Sequence, residues 1–241
     1  MLAMTPFEEH FAIHAGSSHA RQMALADHLG DRSWGLDAHE GILRFGDDLR
    51  FPVQLLGTRA DHDDSWMWAW ANVESGLPPA VTAVASALRQ FGEEHGIEEL
   101  TEPVFVLGEG LTGHMLAMAC SGLAGGKCYY RGPYEGGALF MLLDEVPAHV
   151  TAPVSAQRAV FVLNDLISQF AVDHRMLAIN FLRQQAFAVG ENPGVVTATR
   201  PDGSALQIHF GSLGRIERAE ATLRPTAPAA TPARPWWKVW G

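Results

Sequence analysis

Three tryptophans at a spacing of two, Trp66, Trp68 and Trp70, constrain this chain more than any other feature. A period of two places all three indoles on one face of an extended strand. Large aromatics favour burial, so that face needs a cover: either a helix of the same chain, or a ligand or partner stacked on it. The intervening Met67 and Ala69 are apolar too, which predicts a central strand covered on both sides.

The flanking sequence supplies candidate covers. Residues 6–29 read as a helix, with Thr5 as N-cap, Pro6 in the first helical position, Glu8 closing a capping box and Gly30 as the stop. Short strands follow at 34–37 and 42–45 around the turn His39-Glu40-Gly41, then at 51–58 and 66–71, in an antiparallel meander. A helix over 78–96 carries Val81, Val84, Leu88 and Phe91 on one face. An extended segment at 103–107, a small-residue helix at 112–123 and strands at 127–130 and 138–143 complete this part. The pattern is helical again from 155 to 188, as one long or two consecutive helices with Leu163, Phe170 and Leu177 on a stripe. A hairpin at 195–199 and 205–210 turns at Pro201-Asp202-Gly203, with room for a further strand around Ile216.

The expected fold is therefore α+β: an antiparallel meander sheet packed against helices, with a C-terminal helix-plus-hairpin extension. Residues 1–150 are read as the core domain and 151–223 as the extension packed on it. Residues 224–241 are a Pro/Ala-rich linker ending in the aromatic-basic segment Trp236-Trp237-Lys238-Val239-Trp240.

A formal net charge of -10 argues against nucleic acid and against anionic membrane surfaces as partners. The two cysteines, Cys120 and Cys128, form no CxxC pair and read as free thiols of a reducing compartment. Met1 to His10 lacks the basic and apolar regions of a secretory signal, and no apolar run approaches the roughly 20 residues of a membrane span. The expectation is a cytoplasmic protein without stable membrane association.

Three segments carry a resemblance: Trp66-Met67-Trp68-Ala69-Trp70-Ala71-Asn72, Glu98-Glu99-Leu100-Thr101-Glu102-Pro103 and Tyr129-Tyr130-Arg131-Gly132-Pro133-Tyr134-Glu135-Gly136-Gly137. The chain resembles, over about residues 5–145, a bacterial family catalogued only as a domain of unknown function. The resemblance implies a domain boundary near 150 and no assigned activity.

Candidate sites follow from residue chemistry. Arg131, Tyr134 and Glu135 sit in a Gly/Pro-rich stretch read as a rigid loop, in which Arg131 clamps a carboxylate or phosphate or else pairs with Glu135. Trp66, Trp68 and Trp70 are either core or a stacking floor. Trp236, Trp237 and Trp240 suit a partner groove or a self-docking contact. His10 and His14 share a helix face, with the acidic run Asp61-His62-Asp63-Asp64 as a conceivable third ligand, but they do not form HExxH and no metal is expected. Gly108-Glu109-Gly110 with Gly113 spells GxGxxG, yet the acidic residue of a dinucleotide site is missing downstream, so no cofactor is expected. His174 reads as a hydrogen-bonded core histidine. The preferred function is a non-enzymatic interaction module of adaptor, chaperone or immunity type with a protein partner. The alternative is an enzyme or small-anion sensor built on Arg131 to Gly137, which requires a concavity beside that stretch.

Overall fold

The computed structural model describes residues 4–222. Helix α1 (Pro6–Leu29) starts at the expected cap: the Thr5 hydroxyl accepts from the Glu8 amide, and the Glu8 carboxylate accepts from the Thr5 amide at 2.7 Å. Strands β1 (Trp34–Asp37) and β2 (Ile42–Phe45) form the expected hairpin, and β3 (Leu49–Ala60) continues the meander. Helix α2 (Pro79–His95) ends on Gly96, and α4 (Gly113–Leu123) is capped by Thr112; the short α3 (Glu98–Thr101) lies between them.

Strand β3 is the spine of a seven-stranded antiparallel sheet. It pairs with β2, with β4 (Ser65–Trp68) and with β7 (Gly137–Leu143); β4 in turn pairs with β5 (Val104–Val106), and β7 with β6 (Cys128–Tyr134). The sheet is thus a meander with a second hairpin joined to its longest strand. Phe51, Val53 and Leu55 alternate into one apolar cluster. The β3/β7 register then shifts between Leu55 and Gly57, and the extra residue turns Leu56 into the other cluster. One strand thereby serves two cores.

Two sequence readings need correction here. Strand β4 stops at Trp68, because the amide of Ala71 turns back to the Trp68 carbonyl; Trp70 therefore leaves the strand and is only partly buried. The residues from Arg131 to Tyr134 are strand, not loop. The β6–β7 hairpin extends to the pair Tyr134–Gly137, so only Glu135 and Gly136 make the turn. Gly136 takes φ 86°, a conformation that costs glycine little.

Residues beyond 147 form α5 (Ala148–Thr151), α6 (Ala156–Gln169) and α7 (His174–Gln184), then a four-stranded antiparallel sheet. Its strands are β8 (Ala188–Asn192), β9 (Val195–Thr199), β10 (Ala205–Phe210) and β11 (Ile216–Thr222). The helical pattern resolves into two helices because Ser155 and Asp173 each cap one, with the segment Phe170 to Val172 extended between them. Strand β8 escapes the periodicity argument: it is a mostly exposed edge strand and alternates weakly. Leu163, Leu166, Leu177 and Phe181 share one apolar cluster with Phe11, Leu116 and Phe140. Gln185 reaches across to Ser17 of α1 at 3.0 Å.

Two histidines of α1 line contacts with other helices, His10 with α2 and His14 with α4. His14 lies against Gly122, where a Cβ would come within 2.1 Å of its ring. Burial, helped by the neighbouring His10 and Arg21, pushes its pKa down to about 4. The unfolded chain protonates this group near its ordinary 6.5, so stability is fully present above that pH and is lost as the pH falls from 6.5 toward 4. Allowing for partial solvent screening, the loss attributable to this ring is about 2 kcal/mol. Urea melts at pH 7.5 and pH 4.5 check this. His14→Gln narrows the difference between the two pH values, and an unchanged difference assigns the acid sensitivity elsewhere.

Candidate functional site

Arg131 lies on β6 opposite Phe140 of β7, partly buried. Its guanidinium makes no hydrogen bond or ion pair among the described residues, and the expected partnership with Glu135 does not form. Instead Arg131 lines a cavity of about 300 Å³. Phe140 and Leu111 supply its apolar wall, Arg59 and Asp64 stand at its β3 side, and Thr112, Gly113 and His114 bring in the start of α4.

Neighbouring Arg59 contrasts with Arg131. It donates from Nε to Asp64 at 2.5 Å and from Nη1 to Asp61 at 2.8 Å. Arg59 thus has two carboxylate partners, whereas the Arg131 guanidinium has none within hydrogen-bonding distance among the described residues, and the two arginines and two aspartates together balance in charge. The acidic run read as a conceivable metal ligand set is therefore committed in part to Arg59. Asp64 holds φ 54°, a left-handed conformation that Asp tolerates better than most residues, and its ion pair with Arg59 fixes it there.

The start of α4 lines the same cavity. The Thr112 hydroxyl accepts from the Met115 amide, and the Thr112 carbonyl accepts from Leu116. The amides of Gly113 and His114 have no upstream carbonyl in helical register, so they remain as first-turn donors. Gly113 is needed for close approach: a Cβ there would meet the Phe140 ring at 2.7 Å. The GxGxxG spacing thus ends on a packing glycine beneath a cavity, without the βαβ unit of a dinucleotide site. His114 Nδ1 lies 3.0 Å from the Tyr129 hydroxyl, which orients its ring. Desolvation first, then the charges of Arg131 and Arg59, holds His114 below the ordinary imidazole pKa although part of the ring reaches solvent. Tyr129 is held above the ordinary phenol range by burial and stays protonated.

The other candidate residues are dispersed. Tyr134 and Glu135 are exposed at the tip of the hairpin. Trp66 and Trp68 are wholly buried and edge-to-face at 5.2 Å, so they form core rather than a stacking floor. Trp68 Nε1 donates to the Glu99 carbonyl at 3.0 Å. Trp70 is capped by Arg89, whose guanidinium carbon lies 4.6 Å from the ring centroid. Trp236, Trp237 and Trp240 lie outside the described residues. His10 and His14 stack at 6.2 Å, and no group of three His, Cys, Asp or Glu among the described residues has metal-binding geometry. Both thiols are buried; Cys128 is pushed up to about 11 by burial, opposed by Arg21. His174 accepts from the Ile216 amide at 3.1 Å through Nδ1. No helix among the described residues is long and apolar enough to cross a membrane.

A larger cavity, about 610 Å³, lies where the α6–α7 connection meets the β10–β11 turn. Its polar groups on α7 are spent on structure: Asp173 caps the helix, His174 holds Ile216, and Arg175 covers the Phe210 ring and reaches Asn192. Sequence reasoning reached Arg131 but missed Arg59, Thr112 and His114 as its companions. The one available signal was the Thr-Gly-His start of α4, which marks a helix N-terminus but not what faces it.

These features define an α+β protein with a branched antiparallel sheet and a cavity lined by two arginines and an aspartate at a helix start. Residues 8–146 match the family of unknown function DUF6882, and the chain belongs to that family. No curated protein and no solved structure matches the chain. The cavity lies within the family segment, and the larger one beyond it.

Proposed function

We propose that this protein is a small-anion binding module whose site is the Arg131 cavity, with a carboxylate or phosphate as the bound group. One observation carries the reading: Arg131 lines a concavity at the α4 N-terminus with no ion-pair partner among the described residues, beside an arginine that has two. A guanidinium and the start of a helix lining one cavity are groups that favour an oxyanion, the guanidinium bidentately. The protein-interaction reading draws less support. Two of its tryptophans are interior, and its other aromatic segment lies outside the described residues.

The test is calorimetric titration of the full chain with inorganic phosphate and with acetate, beside Arg131→Gln. Charge-assisted hydrogen bonds contribute about 1.5–3 kcal/mol, so the variant binds roughly 10- to 150-fold more weakly. The Arg131 side chain makes no hydrogen bond among the described residues, so the thermal midpoint without ligand stays within about 1 °C of wild type. Equal affinity in the two proteins, or no binding of either anion to wild type, overturns the proposal.

A further inference from the structure

The Arg131 cavity has a neighbour. A second cavity of about 320 Å³ is walled by Met23 and Ala26 of α1, Met118 of α4, Tyr129 of β6 and Phe170. His19, Gln22 and Gln169 give it some polar lining, and His19 is tied to Asp165 at 2.6 Å. His114 lines both cavities. Its ring stands edge-on to Phe140, a wall of the first, with centroids 5.6 Å apart, and at 62° to Tyr129, a wall of the second, at 6.0 Å. A single side chain, exposed and anchored by one hydrogen bond to Tyr129, is thus the common wall.

The two spaces differ in chemistry. The first holds the Arg131 guanidinium, unpaired among the described residues, and the helix start; the second presents thioethers, an alanine and aromatic rings. Methionine linings adapt to apolar shapes without fixing one. Each space alone sits at the lower bound of cavities that hold small molecules, about 300–1,000 Å³, and the two together fall inside it.

We infer that the two cavities are one ligand site divided by His114, and that its ligand class is an amphipathic monoanion: a carboxylate or phosphate head on Arg131 and an apolar body of several carbons against Met23, Met118 and Phe170. This inference rests on the anion-binding reading and names the ligand for the same site. The head supplies orientation, because Arg131 is the cavity-lining arginine without an ion-pair partner among the described residues. The body supplies most of the affinity, because each methylene moved from water into an apolar chamber adds a roughly constant increment.

Straight-chain carboxylates from acetate to octanoate test it at constant ionic strength, with affinity read from the dose dependence of the thermal midpoint of the full chain. Affinity is expected to rise about three- to four-fold per added methylene once the chain passes His114. Ala26→Trp places an indole in the second chamber from an exposed position on α1, so it flattens the series and leaves acetate and phosphate unchanged. Arg131→Gln weakens every member by a similar factor. Phosphate and acetate binding with no dependence on chain length overturns the two-chamber inference and leaves the anion reading standing. A chain-length series that Ala26→Trp does not flatten, or that Arg131→Gln does not weaken, overturns the inference as well. Failure of phosphate, acetate and octanoate alike overturns both.

Discussion

Trp66→Ala is expected to cost the fold about 3–5 kcal/mol, the range for removing a fully buried large aromatic. The indole has no solvent exposure, meets Trp68 edge-to-face at 5.2 Å and lies 5.2 Å from Phe140. It also lies beneath the start of α4: a Cβ on Gly113 would come within 3.3 Å of it. The truncation therefore leaves a cavity directly under the proposed anion site, and under that proposal anion affinity falls together with stability. Trp66→Phe is the informative partner. Trp66 Nε1 is buried without a hydrogen-bond acceptor among the described residues, so removing that N–H relieves a desolvation cost of about 1–3 kcal/mol and offsets part of the lost volume. Trp68 Nε1 has an acceptor in the Glu99 carbonyl, so Trp68→Phe gains no such relief. Urea unfolding should rank Trp66→Phe as the milder of the two phenylalanine variants. The reverse order would show that the Trp66 N–H has a partner in solution, such as a bound water.

Phe181→Ala is expected to destabilise the chain by a comparable amount, about 3–5 kcal/mol, in a single transition. Phe181 belongs to α7, outside the family segment, yet its ring occupies the space over Gly16 of α1, where a Cβ would approach its Cβ to 2.5 Å. Its apolar cluster contains Phe7, Phe11 and Leu116 from the first part of the chain and Leu163, Leu177 and Val196 from the second. Unfolding of either part alone would expose that shared surface, which favours one cooperative transition. The measurement is urea unfolding by circular dichroism, with native-state hydrogen exchange read separately on α1 and α7. Protection lost on α7 while α1 keeps its wild-type protection would show two independent folding units and sink the prediction.

The readable parts of the fold share a physical character. Helix α1 was legible to the residue because its ends are local chemistry: Thr5 and Glu8 satisfy each other's backbone donors, and Gly30 ends the run. The β1–β2 hairpin was legible for the same reason, with Gly41 at φ 65° in its turn. The errors fell where partners distant in sequence decide. Nothing near Trp70 announces that the strand ends at Trp68, since β4 ends where its pairing with β3 and β5 ends. Arg131 to Tyr134 carries Gly and Pro and so resembles a loop, but its pairing with Gly137 to Phe140 makes it strand.

The candidate site divides along the same line. Arg131 stood out as a cation in an unusual local setting, and the sequence could pose the choice between a clamp and a partnership with Glu135. Only the tertiary structure separates them. Pairing across the hairpin directs Glu135 to the tip, while Asp61 and Asp64 take up Arg59, which lies seventy-two positions before Arg131 in the chain. Capping, helical periodicity and turn chemistry depend on residues a few positions apart, and so they were determined by the sequence read alone. The burial of Trp66 and Trp68, the sharing of β3 between two cores and the convergence of Arg131 with the start of α4 depend on which surfaces meet. Those were decided only by the folded chain, because a charge or an aromatic ring acquires its role from neighbours that local sequence does not name.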